Sequence, residues 1–112
     1  MMNYRIEIGI QAQADITDIM RYIGQALLEP RTAGKLYRLL KEKILSLKQM
    51  PDRCPYEDDE RLRALGIRKL LVRNYKVLYI VDTEQRVVRI ARVVYAGRDI
   101  SKLLDETDFE TV

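Results

Sequence analysis

From Gly66 to Asp99 the chain reads GIRKLLVRNYKVLYIVDTEQRVVRIARVVYAGRD, three short runs of alternating apolar and charged residues separated by turn-like breaks. A period of two sends successive side chains to opposite faces of a strand. The pattern therefore predicts three antiparallel strands with one buried face and one face able to carry charge. They fall at residues 67–73, 75–81 and 87–95, with Asn74 turning the first pair and residues 82–86 connecting the second. Pairing Asp82 with Val87 gathers Val77, Tyr79, Val81, Val88, Ile90 and Val94 on one nearly apolar face, suited to packing under helices. The same register leaves Lys76, Leu78, Ile80, Arg89, Ala91, Val93 and Tyr95 on the other face. It also puts Arg92 on the covered face, where it needs a partner or an edge position.

Upstream, Tyr4-Arg5-Ile6-Glu7-Ile8 alternates as a first strand and Gly9 ends it. A helix is expected to begin at 11–14, with Ile16, Ile19, Met20, Ile23 and Leu27 in one stripe. Asp15 and Asp18 suit the positive end of its dipole, and Gly24 leaves its end open. Pro30 breaks this helix and suits the first turn of the next. The second helix has Ala33, Leu36, Tyr37, Leu40, Ile44 and Leu47 on one side and Lys35, Arg38, Lys41 and Lys48 on the other. Met50-Pro51 ends it, and the short connection makes the pair an antiparallel hairpin.

Residues 51–65 lack periodicity and read as a long loop, with room for a turn of helix at 61–66; residues 100–104 read as one more helical turn. The expected fold is α+β: an N-terminal strand, an antiparallel helix hairpin, then a three-stranded antiparallel meander, forming one small sheet covered on one face by the helices. Residues 1–104 form a single domain, and the acidic tail 105–112 is expected to be mobile.

Composition mainly removes mechanisms. The 112 residues are 47% apolar and 33% charged, which suits one ordinary domain with a modest core. The chain has no histidine, which excludes Ser-His and Cys-His catalysis and leaves no ordinary zinc site. Cys54 is the single cysteine, so no internal disulfide forms and the thiol reads as incidental. The five glycines are isolated, so no phosphate-cradling loop is present. No metal and no cofactor are expected. No apolar run approaches the roughly 20 residues of a membrane helix. The N-terminus lacks a signal-peptide stretch, so a cytoplasmic chain without a membrane partner is expected.

Charge is uneven. Acidic blocks occupy 57–60 and 105–110, while between them Arg61, Arg63, Arg68, Lys69, Arg73, Lys76, Arg86, Arg89, Arg92, Arg98 and Lys102 face only Asp82, Glu84 and Asp99. Such a region suits a polyanion or an acidic protein, or else keeps strand edges soluble.

Three segments point further: Ala12-Gln13-Ala14-Asp15-Ile16 leading to Tyr22-Ile23; Leu47-Lys48-Gln49-Met50-Pro51; and Asn74-Tyr75-Lys76-Val77-Leu78-Tyr79-Ile80-Val81 followed by Arg92-Val93-Val94-Tyr95-Ala96-Gly97-Arg98-Asp99. Together they resemble the RelE/ParE superfamily of toxins from bacterial type II toxin–antitoxin systems. The resemblance implies a cognate antitoxin as partner in a hetero-oligomer. It also implies one of two targets: RelE-like members cleave mRNA in the ribosome, and ParE-like members poison DNA gyrase. Fold alone does not choose between them.

Metal-free RNA cleavage needs a base for the 2′-hydroxyl, cations for the five-coordinate phosphate and an acid for the leaving oxygen. By the resemblance, the catalytic candidates are Arg98, just after the last strand, Lys76, where the family commonly has Arg, and Tyr95. The nucleic-acid-binding candidates are Arg68, Lys69, Arg73 and Arg89. Leu104 and Val94 stand where RelE-like branches carry a Tyr and a His, and Glu60 is a stand-in carboxylate. The clustered cations lean the expectation towards a ribosome-dependent mRNA endoribonuclease. The missing base keeps open a gyrase poison without catalysis, or an inactive relative that only binds antitoxin.

Overall fold

The computed structural model describes residues 3–111, so residues 1, 2 and 112 lie outside it. Four strands, β1 (Arg5–Ile8), β2 (Arg68–Val72), β3 (Tyr75–Asp82) and β4 (Val87–Tyr95), form one sheet in the order β1-β4-β3-β2. The last three make the antiparallel meander, and β1 adds in parallel to the outside of β4. The fold is the expected α+β arrangement, with the helix hairpin over one sheet face.

The hairpin consists of α1 (Ile10–Arg21) and α2 (Pro30–Leu45), the latter opening on Pro30 at its first turn. α1 runs on into a π-helical turn over Tyr22–Ala26, where the Leu27 N–H donates to the Tyr22 carbonyl five residues back. Ala12, Ile23, Leu36, Leu40, Ile44 and Leu47 close the helical side against Val77, Tyr79, Val88, Ile90 and Val93. Burying each such aliphatic side chain contributes about 1.5–3 kcal/mol, which is what fixes the hairpin to this face.

Asp82 pairs with Val87 as the alternation predicts, but a bulge breaks the register between Leu78 and Tyr79. Tyr79 faces Ile90 and Leu78 faces Arg92, leaving Ala91 as the extra residue. Every side chain beyond it changes face. Val93, not Val94, therefore joins the helix-side core, and Arg92 leaves the covered face. Arg92 is held at the sheet margin, its Nε and Nη2 donating to Asp15 of α1 at 2.7 and 2.8 Å. The Val93 N–H donates to the same carboxylate at 2.9 Å, at a point where β1 has already ended opposite Ile90. Asp15 thus satisfies a backbone donor that has no strand neighbour.

The second sheet face carries a smaller core of Leu62, Ile67, Leu78, Ala91, Val94, Leu103 and Phe109. Two short helices supply it. In α3 (Glu60–Ala64), Asp59 caps the N-terminus by accepting from the Arg61 and Leu62 N–H groups; in α4 (Ile100–Glu106), Asp99 accepts from Ser101. The expected boundary at 104 and mobile tail give way to continuous packing. α4 runs through Glu106, Thr107 accepts from Arg92, and Phe109 is 4% exposed within this core. Apolar contact outweighs the self-repulsion of the acidic residues around it.

Candidate functional site

The sheet places Lys76 at the start of β3 and Lys69 on β2 beneath the loop that precedes α3, and the loop's carboxylates reach both. Lys76 Nζ lies 2.7 Å from Glu57 Oε2, with the lysine 7% and the glutamate 3% exposed. Lys69 Nζ lies 2.9 Å from Asp58 and 3.8 Å from Glu57. The Lys69 ammonium holds the Asp58 carboxyl below its usual range. Backbone pairing fixes the loop: the Glu57 N–H donates to the Ile67 carbonyl and the Lys69 N–H to the Pro55 carbonyl.

Arg68 is a strut for the same loop. It donates to the carbonyls of Asp52 and Cys54 and to the Tyr56 hydroxyl, and its guanidinium lies 4.0 Å from the Tyr56 ring centre. Arg89 sits near the far end of the sheet and donates to Asp82 at 2.9 Å and to Gln85, with Glu7 at 3.5 Å. Arg98 pairs with Glu106 of α4, and its N–H donates to the Tyr95 carbonyl, so Arg98 and Tyr95 share one turn. The Tyr95 side chain is 58% exposed and meets Tyr75 edge to face at 6.2 Å. Gly97 permits this pose, because a Cβ there would lie 2.8 Å from the Tyr95 ring.

The structure thus brings together Lys69 with Lys76, and Tyr95 with Arg98, while Arg89 stands apart. The carboxylates that answer these cations are those of the acidic loop and α4. Glu60, the stand-in base, belongs to α3, and its side chain has no hydrogen-bond or ion-pair partner among the described residues.

Arg73 differs from the other candidates. It is not in a strand but in the two-residue turn between Val72 and Tyr75, exposed, with φ 53°. It borders a groove of about 520 Å³ between the tip of the helix hairpin and the β2–β3 turn, lined by Tyr22, Leu27, Lys35, Leu36, Arg73 and Tyr75 among others. Burial raises the Tyr75 hydroxyl, with Tyr22 and Tyr95 adding to the effect. Sequence reading passed over this groove. Its signal was the aliphatic pair Leu27-Leu28 at the end of the helical stripe, just ahead of the Pro30 break, and both are exposed in the structure.

Among known proteins, residues 6–100 match the family described as ParE toxin of type II toxin–antitoxin system, parDE. The chain belongs to the ParE toxin family. No curated protein matches the sequence. Solved structures share the toxin's fold. A structure of the chromosomal ParDE system of P. aeruginosa aligns with TM-score 0.70 and 18% identity, over 87% of this chain and all of that one. The RelBE2 toxin–antitoxin complex of Mycobacterium tuberculosis gives 0.59 and 22%, over 83% and 98%. A mutant E. coli RelE in the free state gives 0.57 and 21%, over 95% of each chain. The toxin is therefore a RelE/ParE-superfamily member of a type II system. Lys69, Lys76, Arg89 and Arg98 answer internal carboxylates, and the hairpin tip carries an apolar groove whose cations Lys35 and Arg73 have no ion-pair partner among the described residues.

Proposed function

We propose that the toxin arrests growth by binding its target, as a ParE-like poison of DNA gyrase, and not by cutting mRNA. The observation that carries this reading is the engagement of the candidate catalytic cations. The charge of Lys76 lies against Glu57 in a closed site, and that of Arg98 against Glu106. A phosphate arriving there has to displace a carboxylate and draw a buried lysine out, at the cost of leaving buried Glu57 with only the more distant Lys69, at 3.8 Å. The family match to ParE supports the same reading. A poison of this kind needs a contact surface and no general base.

The partner that restrains it is a cognate antitoxin in a hetero-oligomer, the arrangement named for the M. tuberculosis relative. Ile8 of β1 and Tyr37 and Leu45 of α2 are exposed along a shallow apolar cleft between the edge strand and the hairpin, beside buried Leu40 and Ile44. Such a strip is what an amphipathic helix covers. A toxin that acts on these partners works in the cytoplasm.

The deciding experiment puts purified toxin into two assays. In the first, gyrase supercoils relaxed plasmid; in the second, programmed ribosomes carry a labelled mRNA. Loss of supercoiling with intact mRNA is expected. Fragmented mRNA with unchanged supercoiling overturns the reading.

A further inference from the structure

Three irregularities of the backbone meet at the hairpin tip. The π turn Tyr22–Ala26 forms one wall of the groove, Leu28 has φ 56° directly after the lining residue Leu27, and Arg73 has φ 53° on the opposite rim. Non-glycine residues held in the left-handed region cost about 1–3 kcal/mol each and persist only where their surroundings over-determine them. Here they hold apolar surface open: Tyr22 is 58% and Leu27 50% exposed, above buried Ile23 and Leu36.

We propose that this groove is the seat of the toxin's protein target, and that it takes a segment carrying one large apolar side chain next to a carboxylate. The proposal rests on the binding reading above and names the surface that performs it. Charge decides the chemistry of the occupant. Lys69, Lys76, Arg89, Arg92 and Arg98 all meet carboxylates within the chain. Lys35 and Arg73 on the groove rim meet none among the described residues. An apolar floor between two unanswered cations selects an acidic, apolar peptide segment, steering it by charge and holding it by desolvation.

Two features argue for this occupant over others. The lining holds two cations against the one carboxylate of Glu29, which suits a single acidic side chain and not a polyanionic backbone, and aliphatic Ile23, Leu27 and Leu36 lie between Tyr22 and Tyr75 as a floor for an apolar side chain. The antitoxin has its own apolar strip farther along α2, at Tyr37 to Leu45, beyond Thr32 to Leu36 of this groove.

The test uses the full chain carrying Leu27→Asp or Arg73→Glu, with Lys43→Glu as an exposed cation of α2 outside the groove. Each is induced in cells, purified with antitoxin, melted, and assayed on purified gyrase. Growth arrest about tenfold weaker in both groove variants, with Lys43→Glu acting as the parent, is the expected result. Antitoxin co-purification and melting temperature are expected to match the parent. Parent-like arrest overturns the proposal. So does loss of antitoxin binding, which makes the groove the antitoxin's seat, or single-stranded DNA binding by the parent that the variants lose. The two readings separate cleanly. If the variants lose arrest while the parent leaves gyrase untouched, the groove stands and gyrase falls. If parent and variants poison gyrase alike, gyrase stands and the groove falls.

Discussion

Lys76 and Glu57, 19 positions apart in the chain, form an ion pair of 2.7 Å that is closed from solvent on both sides. Removing Glu57 leaves Lys76 charged and unpaired in a dry site, a loss of about 3–5 kcal/mol. Glu57→Ala is expected to lower the denaturation midpoint accordingly. The double variant Glu57→Leu/Lys76→Met is expected to recover most of that loss, since a well-packed apolar pair of similar volume does without the desolvation cost. Urea melts of the parent and the two variants measure it. The same double variant also reads on function. A binding toxin keeps its growth arrest without Lys76, whereas a nuclease that uses the lysine loses it.

A second prediction concerns Asp15. Its carboxylate takes two hydrogen bonds from Arg92, which is 6% exposed, and one from the Val93 N–H. Arg92 is held more firmly protonated by Asp15 in return. Asp15→Ala is expected to cost about 3–5 kcal/mol, because it strands a buried guanidinium and a backbone donor together. Native-state hydrogen exchange gives the specific mark: the Val93 amide loses protection ahead of the other amides of β4. Protection unchanged at Val93 means that water already satisfies that donor.

What the sequence disclosed follows from which forces have a period. Alternation in β3 and β4 and the stripe through Leu36, Leu40 and Ile44 exposed the sheet and its roof, because burial of one face imprints a repeat on the chain. The bulge at Ala91 left no such imprint. Neither glycine nor proline stands there, and the carboxylate that holds the strand just past it, Asp15, is 78 residues from Val93 in the chain. The candidate cations were picked out by their density along the chain, which does not show that Arg73 and Arg89 stand apart from Lys69 and Lys76. Their state was not legible, because residues 51–65 have no periodicity to show which strand Glu57 and Asp58 lie against. An acidic block next in sequence to a basic strand was the available hint.

The chain's single phenylalanine gives a third prediction. Phe109 sits in an acidic stretch that reads as solvated, yet it closes the second core beside Leu62 and Leu103. Phe109→Ala is expected to cost about 3–5 kcal/mol, the range for emptying a buried aromatic site. Ending the chain at 104 is expected to cost at least as much and to expose Ile67 and Leu78. Calorimetry of the two variants, with a dye that binds exposed apolar surface, tests this. Unaltered melting after truncation means the segment contributes no packing energy.

Acid sensitivity follows from the loop carboxylates. The Arg61 guanidinium, aided by the backbone N–H groups of Arg61 and Leu62, brings Asp59 from 3.8 down to about 2. A folded value below the unfolded one stabilises fully above the unfolded pKa and is lost as pH falls through the folded pKa. Its contribution is therefore complete above about pH 4 and fades towards pH 2. Asp59→Asn keeps a capping oxygen without the titration. Its denaturation midpoint is expected to fall less steeply than the parent's across that window. Parallel curves mean that other carboxylates, such as Asp58 and Asp82, carry the whole acid response.

Arg73 sets stability against function at one position. Its φ of 53° is a conformation that glycine adopts freely and arginine does not, so Arg73→Gly relieves about 1 kcal/mol of strain. Glycine returns part of this through the greater freedom of its unfolded chain. The variant is therefore expected to melt at or slightly above the parent temperature. It also loses the cation on the rim of the hairpin-tip groove, so its growth arrest is expected to weaken. Retained stability with lost toxicity is the signature of a strained residue kept for binding. If Arg73→Gly instead melts lower and arrests growth as the parent does, the arginine holds the β2–β3 turn, and its place beside the groove has no part in target recognition.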